Sequence, residues 1–312
     1  MTDILSVALR AASFVLMLQA AGTALFSGTF GARLASSAAG VRSIGRVSAL
    51  LAILAVIGHY VLQAGRMAGD LSGVWSGALQ AIVLHSAGGA EAALRIFGLV
   101  LVWAGMRGGA TGSGDVAARS GGAAAESSDT GARLPRERGL AATAGVVGAT
   151  LTVVSFTLTG HTAVSADRWF LIVALTAHVL IVAFWFGALP ALYLATLREA
   201  EPAAAKVVAA FSAAATWIVP GIFIAGGVLA AGLVPGFATF ARPYGELLLV
   251  KIGGFAVLMM LAASNKWRLT PALARGDRRA PAALRRSLAA EYVLIGGVLT
   301  ATAVMTTFFS PD

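Results

Sequence analysis

Four histidines and two methionines carry most of what this chain could do chemically. The histidines are His59, His85, His161 and His178, and there is no cysteine. Without thiols, disulfides and thiolate metal sites are excluded, and a soft metal would have to be held by imidazole, thioether or carboxylate. His59, Gln63 and Met67 recur at i, i+4 and i+8, the spacing of one helical face. Met305, near the far end of the chain, offers a second thioether, although both methionines also suit a plain packing or lipid-facing role. Imidazole with thioether suits copper, above all Cu(I), and suits calcium or magnesium poorly; zinc stays open on imidazole alone. His178 stands inside an uncharged apolar run, Trp169 to Thr196. An ionisable group in hydrocarbon marks a functional site unless an interhelical hydrogen bond explains it.

The elements that position these residues are membrane spans. The chain is 58% hydrophobic and 12% charged, where a soluble domain carries about 25% charged residues. Eight apolar runs can be cut from it, at about 4–30, 46–66, 92–107, 140–161, 169–196, 207–232, 245–264 and 290–309. All but the short third match the roughly 20 residues that cross a bilayer as a helix. Their Gly, Ala and Leu composition lacks the alternation of a membrane barrel. The expected fold is therefore all-α: one polytopic membrane domain over 1–312, an eight-helix bundle. The first run lacks a basic lead and a cleavage site, so it reads as a span and not a removed signal peptide.

Charge placement orients the bundle. Assigning alternate connections to two sides divides the basic residues 17 to 6. The richer side holds 31–45, 107–139, 197–206 and 265–289, and the positive-inside rule makes it cytoplasmic. Both termini are then external, and the Gly/Ala/Ser-rich stretch 108–139 is expected to be a mobile cytoplasmic loop. Arg10 and Lys251 fall near the outer surface, where snorkelling accommodates them, and Asn265 and Glu291 read as markers of inner helix ends. The basic run 266–286 would rest on anionic lipid headgroups, so the net charge of +9 is no sign of nucleic-acid binding. Between the second and third spans, Trp75, Leu79, Ile82 and Val83 follow helical spacing, which predicts an interfacial helix over about 71–86.

All four histidines then fall in the outer half. His59 lies in the outer part of the second span, His85 in the interfacial segment, and His161 at the outer end of the fourth span. His178 is roughly 13 Å below the surface, at about 1.5 Å per residue. A shared vestibule beneath the outer face is the expectation.

Several stretches resemble the CopD (PcoD) family of bacterial inner-membrane copper proteins. They are Gly160-His161, His178 with Phe184-Trp185-Phe186-Gly187-Ala188-Leu189, Phe211-Ser212, and Tyr244 with Leu247-Leu248 and Lys251. Asn265-Lys266-Trp267-Arg268, Pro271-Ala272-Leu273 and Leu284-Arg285-Arg286-Ser287 with Glu291 complete the pattern, which is strongest over 140–309. The resemblance implies a multi-pass inner-membrane protein that handles copper at the periplasmic face and moves or delivers it inward. It also implies a small periplasmic partner of the CopC type. Family members often carry an acidic residue three positions before the histidine of the fifth helix; here that position is Leu175.

Three functions are weighed, one of them a non-transporting receptor or assembly factor that holds copper for an oxidase. Copper import or delivery would use His85 and His161 for capture, then His59 and His178, with Met67 and Met305 as added ligands. The chain has no phosphate-binding loop of the Walker type and reads as a carrier, not an enzyme. The alternative is a haem-binding, quinone-linked electron carrier with histidine axial ligands.

Overall fold

The computed structural model describes residues 2–107, 135–160, 168–234 and 236–309, and these are helical with no strand among them. Eight helical stretches are long and apolar enough to cross a membrane. In chain order the helices are α1 (Thr2–Phe30), α2 (Ala38–Ala68), the short α3 (Gly77–Leu84), α4 (Ala87–Gly105) and α5 (Pro135–Val154). There follow α6 (Arg168–Arg198), α7 (Glu201–Leu233), α8 (Pro243–Ser264), the one-turn α9 (Thr270–Ala274) and α10 (Ala280–Phe308). A π-helical turn, Asn265–Leu269, joins α8 to α9 in one continuous span.

The helices run past the hydropathy-based bounds at several starts, α2 by eight residues and α10 by ten. The third span begins at Ala87 instead of 92, and α5 begins at Pro135, inside the loop expected over 108–139. The rest of that loop, 108–134, lies outside the described residues, as does His161. The interfacial helix expected over 71–86 is two pieces: a 3-10 turn, Leu71–Trp75, and then α3. Each has its own cap. The Asp70 carboxylate accepts from the Ser72 amide at 2.7 Å, and Ser76 accepts from the Leu79 amide at 3.4 Å. A side chain that bonds backbone at a turn competes with helix continuation, and this breaks the segment in two. Trp75, 88% exposed, remains free to lie at the interface.

The bundle is organised around α1, which packs against α2, α4, α5, α6 and α10. Its crossing with α6 brings backbone to backbone: a Cβ on Gly22 would fall on the Ala183 carbonyl, and one on Gly187 would fall on Gly22 and Thr23. Small residues allow such approach, which replaces the hydrophobic drive that lipid does not supply. The α4–α5 pair is built the same way, with Gly98 against Gly148. An aromatic cluster of Phe26, Phe30, Phe184 and Phe211 locks α1, α6 and α7 together, Phe184 stacking on Phe211 at 5.8 Å. In contrast, α8 has only 6% of its most apolar window buried, against 44% for α1.

At the end of the molecule away from the termini, Glu199 clasps the α1–α2 turn to the end of α6. Its carboxylate accepts from the amides of Ala35 (3.0 Å), Ser36 (3.2 Å) and Ser37 (2.8 Å) and from the Ser37 hydroxyl. Partial burial pushes this carboxyl up, but the hydrogen bonds to Ser37, Ser36 and Ala35 outweigh it and leave it below its ordinary value.

Candidate functional site

His59 is nine residues from the end of α2, on the half of the bundle nearest the chain termini. With Gln63, the next residue of its stripe, it lines a cavity of about 10 Å³ closed by Ser13, Tyr60, Gly88, Glu91 and Arg95. That is room for about one water-sized particle. The cavity is walled by α1, α2 and α4, and its polar lining is dominated by a buried ion pair one helical turn long. Glu91 accepts from Arg95, whose Nε also donates to the Ser155 hydroxyl at 3.2 Å. The Arg95 guanidinium lies 4.7 Å over the Phe156 ring. Two further guanidiniums reach His59 with their charge. Arg66 pairs with Asp3 at 3.4 Å, and Arg10 donates to the Thr306 carbonyl (3.0 Å) and Thr307 hydroxyl (3.2 Å) on α10. Arg10 is thus tied to the last helix and does not simply snorkel.

The described histidines share one arrangement. His59 turns one ring nitrogen to the Ser6 carbonyl, while its Nδ1 is buried with no partner. His178, half-buried on α6, turns to the Ile222 carbonyl of α7 and likewise leaves Nδ1 buried and unpartnered. His85, exposed at the C-terminus of α3, donates from Nδ1 to the Ala81 carbonyl at 2.8 Å and leaves Nε2 free. An N–H on a backbone carbonyl with the opposite nitrogen open is how metal-ligating imidazoles are oriented.

Of the four histidines expected to meet in one vestibule, the three among the described residues face different neighbours. His59 faces α1 and α4; His178 faces α7, with Lys251 of α8 close enough to bear on its ring. His85 precedes by three residues Gly88, which lines the His59 cavity. Met67 is 55% exposed at the end of α2, and Met305 is buried in α10. Among the described residues no three His, Asp or Glu side chains are grouped to hold an ion. Among the described residues no ion pair joins Lys251 to Glu246, five residues before it on α8.

A second polar cluster corrects the reading of Glu291 as a helix-end marker, while Asn265 does stand where α8 gives way to the π turn. Glu291 is 11 residues into α10 and 2% exposed. It accepts from the Trp185 indole N–H at 3.2 Å and from the Asn265 side-chain amide. Next to it, Tyr292 stacks on Phe186 at 4.5 Å with the rings 7° from parallel. Only the apposition of α6, α8 and α10 builds this cluster, so no local spacing revealed it. The Glu91–Arg95 pair did leave a signal, its i,i+4 separation.

Residues 205–305 match the family described as copper resistance protein D. No curated protein and no solved structure matches the chain. The matched third covers α7 to α10 and so contains Lys251, Asn265 and Glu291, whereas the four histidines lie ahead of it.

Proposed function

With residues 205–305 belonging to the copper resistance protein D family, we propose that this multi-pass inner-membrane protein passes Cu(I) inward from the periplasmic face. The end of the bundle carrying the termini is then periplasmic, as the distribution of basic residues requires. The observation that carries this reading is the pair of buried, unpartnered Nδ1 atoms on His59 and His178. A buried acceptor without a partner is unfavourable by about 1–3 kcal/mol, and a metal ion would relieve that. Exposed His85 and Met67 stand where an arriving ion would first meet soft donors, with His161 as a further capture residue. Met305 is a candidate donor on α10. The guanidiniums around His59 favour a singly charged ion, since Coulomb repulsion scales with charge.

Conduction needs binding that is favourable at each step yet weak enough to release, and single imidazoles in succession meet that need. A small periplasmic copper-binding protein of the CopC type would deliver the ion. In proteoliposomes loaded with a Cu(I) indicator, His59→Ala and His178→Ala should each slow Cu(I) entry by about 10- to 100-fold. Wild-type entry rates in both variants would overturn the proposal.

A further inference from the structure

Among the described residues two glutamates are buried, and they are treated in opposite ways. Glu91 is neutralised by Arg95. Glu291 has only uncharged donors, Trp185 and Asn265. The cationic side chains of the neighbouring elements are engaged or turned away. Lys266 donates to the Thr216 hydroxyl at 2.7 Å, Arg285 donates to the Thr196 carbonyl at 3.0 Å, and Arg268 and Arg286 are exposed. On α6 the titratable and charged side chains are His178, two turns before Trp185, exposed Tyr193, and Arg168 and Arg198 at the two helix ends, both exposed; Tyr292 is stacked on Phe186. On α1 the inner half before Arg33 carries none. Lys251 stands 14 residues before Asn265, toward the opposite face.

A carboxylate inside a membrane bundle without a counter-charge is strongly unfavourable in its ionised form; it takes up a proton or a cation. The surroundings can accommodate both charge states. The ionised carboxylate accepts from the Asn265 amide N–H, as in the structure. A protonated carboxyl would need an acceptor, and the Asn265 Oδ1 is buried with no partner. Rotation of that amide by half a turn presents the oxygen in place of the nitrogen. The Ser287 hydroxyl, one turn before Glu291 on α10, is also buried without a partner and can either donate or accept.

We propose that Glu291 is a proton-binding site in the cytoplasmic half of the bundle, switching between carboxylate and carboxylic acid against the Asn265 amide. Glu291 is roughly 16 Å from the cytoplasmic start of α10, at about 1.5 Å per residue, and the π turn at Asn265 lies between it and that surface. His178 and Trp185 are seven residues apart on α6, one face of the helix. The proton site therefore lies below His178 along the same helix, so a proton leaving Glu291 can compensate the charge of an ion arriving from above. Proton binding stands by itself; its coupling to ion movement rests on the copper reading.

Infrared titration of the purified protein in lipid nanodiscs, without metal, tests the site. The expected result is a carboxylic-acid C=O band of a water-shielded group that titrates with pH and is missing in Glu291→Gln. Trp185→Phe, which keeps the ring but removes the N–H, should retain the band and move its midpoint. No such band at any pH, a band unchanged in Glu291→Gln, or a midpoint unmoved in Trp185→Phe would each overturn the assignment. In proteoliposomes, Cu(I) entry should respond to a transmembrane pH gradient in the wild type and lose that response in Glu291→Gln. A response retained by Glu291→Gln overturns the coupling alone.

Discussion

The polar cavity beside His59 and the polar cluster around Glu291 occupy opposite halves of one bundle and solve the same problem differently. Each buries a glutamate, 7% exposed at Glu91 and 2% at Glu291. At Glu91 the carboxylate meets a guanidinium four residues on, and that guanidinium also donates to Ser155 and covers Phe156. Its charge is fixed by structure. At Glu291 the donors are an indole and an amide, so the charge can change without leaving an opposite charge stranded. The packing differs in parallel. The α1-centred half has helix backbones in direct approach, while α8 presents Leu249, Val250, Ile252 and Met260 outward.

The largest effect should come from breaking the fixed pair. Glu91→Gln leaves Arg95 buried without a counter-charge and should destabilise the protein by about 3–5 kcal/mol, read as the thermal unfolding midpoint in detergent. Glu291→Gln strands no charge and should move that midpoint much less. Equal losses in the two variants would erase the distinction. Next, Gly22→Ala drives a methyl into the Ala183 carbonyl and should cost at least about 1–3 kcal/mol. Gly296→Ala on α10 meets nothing within 4 Å and should be neutral or stabilising by up to about 1 kcal/mol. The smallest effect concerns pH. The Glu199 carboxyl is held below its ordinary value in the folded protein, so its contribution is present above the ordinary carboxylate range. It is lost as pH falls through the depressed folded value. Acidification should therefore lower the unfolding midpoint of the wild type more than that of Glu199→Gln.

Hydropathy made the number of spans legible, because every crossing must be a helix with nearly continuous apolar sequence, but not where α2 and α10 begin. The His59–Gln63 stripe was also legible, since both residues line the cavity as their i,i+4 spacing predicts. The cavity's other wall was not. Placing the third span at 92 left Glu91 outside it, so its salt bridge to Arg95 went unread although the spacing was visible. Glu291, Trp185 and Asn265 are 26 to 106 residues apart in sequence and meet only when three helices pack. Hydropathy finds helices one at a time and carries no information on which faces meet. The same limit explains why histidines at similar depth turned out to face different neighbours.

The Glu199 clasp has a mechanical consequence. One carboxylate holds three successive amides of the α1–α2 turn, so sliding α6 along its axis would break all three contacts together. The first, second and sixth helices are thereby coupled at the end of the bundle away from the termini. By contrast, α7 and α8 meet through a ring contact, Phe223 on Phe255 at 4.7 Å, and Lys266 beyond the end of α8 donates to Thr216 of α7.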